Sequence, residues 1–159
     1  LLQSLNSLSK EYKYPIIFPI HPRTKKQIES NKIKLDSKIQ LIKPLSFSDY
    51  CSLQKDSFVV LSDSGTIFEE SSILNFRALN LRESHERPEA VEETTVVISG
   101  LKKERILQGI EILQNQFTGL KRNINIVNDY NVKNVSFKVE RLIASYIDYV
   151  NRVVWQKEF

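Results

Sequence analysis

Short apolar runs alternate with stretches of helical spacing along the whole chain, and few architectures accept that alternation. Leu1, Leu5, Leu8 and Tyr12 recur as one face of an amphipathic helix. The run from Pro15 to Ile20 predicts a buried strand with proline at its first position. His21-Pro22-Arg23-Thr24 predicts a turn, and Thr24 then caps a short helix over 25–31. Ile39 to Ile42 predicts a second strand stopped by Pro44, after which Ser48 can cap a helix holding Tyr50 and Leu53. Phe58 to Leu61 predicts a third strand, apolar throughout as parallel strands covered on both faces are.

A loop, Ser62-Asp63-Ser64-Gly65, leads into a helix over about 66–74. A fourth strand over 78–81, a polar loop over 82–93 and a fifth strand over 95–98 follow. Ile106, Ile110, Leu113 and Phe117 mark the next helix. The last helix, over about 135–153, carries Val139, Leu142, Ile143, Tyr146 and Val150 on one side, a packing face with Trp155 as terminal anchor. Strand and helix in turn argue for an α/β fold with a mainly parallel sheet. At 159 residues the chain fits one domain, residues 1–159, with core enough to fold.

Composition excludes several function classes. One cysteine, Cys51, forms no internal disulfide, anchors no zinc cluster and reads as a small buried side chain. His85, Glu86 and Glu89 lack metal-ligand spacing, so no metal site is expected. The apolar runs are too short to cross a bilayer, so no membrane partner is expected. The net charge of +4 is spread over small basic groups rather than one face, which argues against nucleic acid as a partner. Neither G-x-G-x-x-G nor a Walker pattern occurs among only four glycines. The chain opens at Leu1 and has no methionine, which suggests a piece of a longer protein.

The stretch Ser62 to Glu70 is the most informative. It crosses from a buried strand into a helix, where free N–H groups and the positive end of the helix dipole favour a phosphate. Ser64 adds a hydroxyl, and Gly65 removes the Cβ that would block a ligand. Glu69 and Glu70 stand about 100° apart on a helix, so only one faces such a ligand. A carboxylate there can accept both ribose hydroxyls. The same residues could equally form a capped loop with no ligand. Tyr50 beside Leu53 could be core, His21 a turn residue bonded to backbone, and Arg87 a surface ion-pair partner.

Taken together, Ser62-Asp63-Ser64-Gly65-Thr66-Ile67, Glu69-Glu70-Ser71-Ser72 and Glu86-Arg87-Pro88-Glu89 resemble the C-terminal half of UDP-N-acetylglucosamine 2-epimerases. His21-Pro22-Arg23-Thr24 and the segment from Pro44 to Asp49 and Tyr50 occur in matching order, so the resemblance spans nearly the whole chain. Residues 71–76, 84–89 and 149–155 look closest to the branch that makes UDP-N-acetyl-L-fucosamine for capsule and lipopolysaccharide. The resemblance implies a Rossmann-like sheet forming the C-terminal half of a glycosyltransferase-B-like fold, in a cytoplasmic enzyme. It implies Ser64 and Gly65 on the diphosphate, Glu70 on the ribose, Tyr50 against uracil, Arg87 near the diphosphate and His21 at the cleft edge. It also implies epimerisation at C2 without a nicotinamide cofactor, by elimination and return of UDP, with Ser64 and Arg87 stabilising the leaving group.

Thr66 stands where many members have a second glycine, and Arg77 replaces a proline usual ahead of the fourth strand. The partners implied are a UDP-sugar, an N-terminal domain carrying the proton-transfer groups, and a second subunit in a homodimer. No residue of this chain is assigned proton transfer. The domain's first strand, expected near the sheet centre, is also looked for outside these residues, so the chain alone should be inactive and grip UDP weakly. Two other readings share the same residues: a nucleotide-sugar-binding domain of a glycosyltransferase, and a non-catalytic remnant.

Overall fold

The computed structural model describes residues 2–84 and 86–157. Five parallel strands are joined by helices, as the alternation requires. Helix α1 (Leu2–Tyr12) leads into β1 (Ile16–Pro19), then α2 (Pro22–Ser30) into β2 (Ile39–Ile42). Helix α3 (Phe47–Asp56) leads into β3 (Val60–Ser62), and α4 (Ile67–Leu74) into β4 (Ala78–Asn80). Helix α5 (Pro88–Glu92), β5 (Val97–Ile98), α6 (Lys103–Leu113) and α7 (Val135–Tyr149) complete the regular elements, and α7 runs on into a π-helical turn, Val150–Val154.

Strands β1 and β2 pair in parallel, Ile16 opposite Ile39. Strands β3, β4 and β5 form a second parallel set with β4 central, Val60 opposite Ala78 and Leu79 opposite Val97. The chain divides into two compact units, Leu1–Val127 and Asn128–Phe159. In the first unit, Leu5 and Leu8 of α1, Leu79 of β4 and Ile106, Ile110 and Leu113 of α6 form one buried cluster. Helix α6 comes so close to the sheet that a Cβ on Gly109 would collide with the Leu79 side chain.

Several local expectations shift. Helix α2 begins three residues earlier than the Thr24 cap implies, because Pro22 suits the first helical position and His21 Nδ1 accepts the N–H of Arg23 at 3.3 Å. Ser46, not Ser48, caps α3, its Oγ accepting the Asp49 N–H at 3.2 Å. The polar loop after β4 contains α5, started by Pro88. Cys51 is half-buried rather than buried. No described residue of α7 is buried and Trp155 is 66% exposed, so in this chain neither serves as packing.

The third strand is the most instructive departure. All of β4 is buried, yet β3 is only half-buried along its length. Phe58 leaves the strand and packs its ring against Tyr12 and Tyr14, at centroid distances of 5.6 and 5.2 Å. Arg77 spans the same corner. Its guanidinium donates to the Gln116 carbonyl at 3.1 and 3.2 Å and lies 5.7 Å from the Phe58 ring centre. A proline in its place could make none of these contacts.

Candidate functional site

The site grows from the C-terminal ends of β3 and β4, where ligands of open parallel sheets bind. Beyond Ser62 the chain turns at once into α4. Ser62 Oγ accepts the Ser64 N–H at 3.0 Å, and Ser64 Oγ lies 3.0 Å from Thr66 Oγ1 while accepting the Thr66 N–H at 3.3 Å. The Phe68 N–H reaches back to the Gly65 carbonyl at 3.4 Å. The Thr66 N–H thus points at the Ser64 hydroxyl, at the positive end of the α4 dipole. A Cβ on Gly65 would meet nothing within 4 Å, so the approach to this turn is open.

Asn80, 1% exposed at the end of β4, fixes the turn from behind. Its Nδ2 donates to the Ser64 carbonyl at 3.3 Å and its Oδ1 accepts the Arg82 N–H at 2.8 Å. Sequence reasoning missed this residue, although a polar side chain ending an apolar strand was the visible clue. Gly65, Asn80, Arg82, Ser84 and Arg87 share a small cleft of about 30 Å³ in front of the turn.

Arg87 is tied to α4. Its Nε donates to Glu69 Oε1 at 2.8 Å, with both side chains partly exposed. The surface-pair reading and the ligand reading are thus compatible: Glu69 holds the guanidinium beside the helix start. Glu69 Oε2 is buried without a hydrogen-bond partner among the described residues.

Glu70 points elsewhere, as the helical angle requires. It accepts a 2.6 Å hydrogen bond from Nε2 of Gln54, a residue of α3 that is 2% exposed and that sequence reasoning passed over. Its place one turn after Tyr50 was the available clue. Tyr50 is half-buried on the same helix; burial, and then the Glu70 carboxylate, push its phenol above the ordinary range. Tyr50, Gln54 and Glu70 form one group, while Ser64, Gly65 and Arg87 form another; Thr66 and Glu70 share the first turns of α4, linking the two. His21 joins neither group, being the exposed cap of α2. His85 lies outside the described residues. Among the described residues no cluster of three His, Cys, Asp or Glu could hold a metal, and no helix is long and apolar enough to cross a membrane.

Comparison with known proteins now bears on this geometry. The profile of the UDP-N-acetylglucosamine 2-epimerase family matches residues 1–144. This chain belongs to that family. A UDP-N-acetylglucosamine 2-epimerase of Methanococcus maripaludis is 37% identical over 115 residues, 70% of this chain and 31% of the relative. The enzyme of Methanocaldococcus jannaschii is 35% identical over 127 residues, 77% of this chain and 34% of the relative.

Among solved structures, the Rickettsia bellii epimerase matches with a TM-score of 0.85 and 47% identity, over 98% of this chain and 43% of that one. The M. jannaschii epimerase in complex with UDP-GlcNAc and UDP matches at 0.77 and 31%, over 90% and 39%. The parallel α/β fold is therefore that of these enzymes. The chain spans about a third of the length of the curated relatives and about two-fifths of the solved ones.

Proposed function

We propose that this chain is the UDP-binding, C-terminal part of a UDP-N-acetyl-sugar 2-epimerase. The observation that carries it is the β3–α4 turn, where Ser64, Gly65 and the helix start converge and Glu69 holds Arg87 alongside. In the proposed reaction a base removes the C2 proton as the C1–O bond breaks, and the bonding electrons leave with the diphosphate. Return of UDP to C1 and of a proton to the other face of C2 completes the epimerisation. Charge gathers on the diphosphate at the departure step, where fixed donors lower the barrier, each by roughly 3 kcal/mol. Ser64, the Gly65 region and Arg87 take that role; Glu70, oriented by Gln54, takes the ribose hydroxyls, and Tyr50 takes the base.

The proton-transfer groups belong to the rest of the longer protein, and the sugar ring contacts that part. Residues 71–76, 84–89 and 149–155 favour the L-fucosamine branch and hence a cytoplasmic role in surface-polysaccharide synthesis. His21 takes the cleft edge through Nε2, since Nδ1 caps α2. An NMR titration of this chain with UDP tests the reading. The amides of Gly65 and Ile67 should shift, with affinity weaker than micromolar, and Ser64→Ala and Glu70→Gln should each weaken it roughly tenfold, the loss of one charged hydrogen bond. Shifts confined to other residues would refute it.

A further inference from the structure

Two guanidinium groups, of Arg82 and Arg87, line the small cleft in front of the β3–α4 turn, and they are held in opposite ways. Arg87 is tied down: its Nε donates to Glu69 Oε1 at 2.8 Å and its Nη1 to the Glu86 carbonyl at 3.2 Å. With the Glu69 carboxylate so near, the pair presents little net charge to an approaching anion. Arg82 is the reverse case. Its backbone is fixed, since its N–H donates to Oδ1 of the buried Asn80 at 2.8 Å, while Nδ2 of the same amide donates to the Ser64 carbonyl at 3.3 Å. One buried side chain thus holds the base of Arg82 and the β3–α4 turn together. The Arg82 side chain is exposed and makes no hydrogen bond or ion pair among the described residues, although Glu86 lines the same cleft.

We infer that Arg82 is a second cation for the diphosphate, its guanidinium reaching the phosphate farther from the nucleoside; the inference rests on the proposed UDP site. The side of α4 on which it stands decides which phosphate it meets. Glu69 and Glu70 leave the helix about 100° apart. Glu70 meets Gln54 and lies with Tyr50, on the side proposed for ribose and base, whereas Glu69 meets Arg87. Arg82 shares the cleft with Arg87, so it stands away from the nucleoside, beside the phosphate bonded to C1 of the sugar. When the C1–O bond breaks, the bonding electrons stay on that phosphate and its negative charge rises. A guanidinium already neutralised by a carboxylate gains little from this rise, and an unpaired one gains more. Its planar fork also meets two phosphate oxygens at once, which an ammonium does not. The work is thereby divided: Glu69 and Asn80 set Arg87 and the turn in place beforehand, and Arg82 supplies the charge.

NMR titration of this chain with UDP and, separately, with UMP tests the assignment. In the unmodified chain UDP should shift the amides of Gly65 and Ile67 and also the Arg82 side-chain Nε–H, which UMP should leave in place. Arg82→Gln should weaken UDP roughly tenfold and UMP by less than about twofold, because the lost charge-assisted contact is to the outer phosphate. Arg82→Lys keeps the charge without the fork and should recover part of the loss. Arg105→Gln removes an exposed charge on α6 and should leave both affinities unchanged. Because Arg82 is exposed, its variants keep the fold, which unchanged amide shifts away from the turn will verify. The inference is overturned if Arg82→Gln binds UDP as the unmodified chain does while Gly65 and Ile67 still shift; the UDP site then stands without Arg82. It is overturned as well if UMP loses as much as UDP, or if Arg105→Gln loses as much as Arg82→Gln, which makes the effect one of net charge. If UDP moves neither Gly65 nor Ile67 in the unmodified chain, the site itself is wrong and Arg82 falls with it.

Discussion

Gln54 shows how one buried side chain can organise a site. Its amide nitrogen is committed to Glu70 while its Oε1 is buried without a partner among the described residues. Gln54→Ala removes the donor and opens a hole, and should cost about 1–3 kcal/mol in urea unfolding. Gln54→Leu fills the volume and also deletes the orphaned oxygen, so it should cost less than the alanine variant, yet weaken UDP as much. Equal stability losses would mean that the amide is not what matters. Tyr50 next to it gives a pH prediction. Its phenol is pushed up by burial first and by Glu70 second, with Gln54 acting the other way. The folded state therefore prefers the neutral phenol. That contribution is complete below the unfolded tyrosine value near 10.0 and is lost as pH rises through the higher folded value. Tyr50→Phe should flatten the fall in stability above about pH 10, partly rather than wholly, because Tyr12 is raised in the same direction by its own burial.

Among the elements, α4 is open at one end and closed at the other. Its C-terminal residue leads to Asn75, 2% exposed and left-handed at φ 55°, whose Nδ2 donates to the carbonyls of Gly119 and Lys121 at 2.9 and 2.6 Å. Arg122 donates to the carbonyls of Ser72 and Ile73, both at 2.7 Å, which completes the closure. The N-terminal end has no such closure: the Thr66 side chain makes no capping bond, and a Cβ on Gly65 just ahead of it would meet nothing within 4 Å. Helix α6 is held by the absence of a side chain at Gly109. Alanine is the better helix former by about 1 kcal/mol, yet Gly109→Ala drives a methyl into Leu79 of the central strand and presses on Val97. The expected outcome is a net loss of about 1–3 kcal/mol from overpacking, read from thermal or urea unfolding. A stabilised variant would show that α6 can lift off the sheet at little cost.

For the whole molecule, the proposed reaction divides between this chain, which takes the nucleotide, and the rest of the longer protein, which supplies proton transfer. The isolated chain should give no C2 epimer from UDP-N-acetylglucosamine, checked by product chromatography; turnover would overturn the division of labour. The face of α7 read as packing, with Val139, Leu142, Ile143 and Tyr146, is exposed and belongs to the second compact unit. Its periodicity correctly marked a helix, but periodicity says only that a face is apolar, not which body covers it.

The sequence by itself determined the order of the strands and of the longer helices, the parallel class of the sheet and the position of the turn between β3 and α4, because apolar periodicity, proline punctuation and the Ser64-Gly65 pair act within a few residues of one another; α5 stayed hidden in a polar stretch. Helix starts slipped by two or three residues where His21 and Ser46 were better placed to accept an N–H than the hydroxyls first considered. Only the tertiary structure decided the pairing of Arg87 with Glu69, of Gln54 with Glu70 and of Asn80 with the Ser64 turn. Each joins residues 16 to 18 positions apart whose meeting depends on how α3, β4 and the loop before α5 stack against α4.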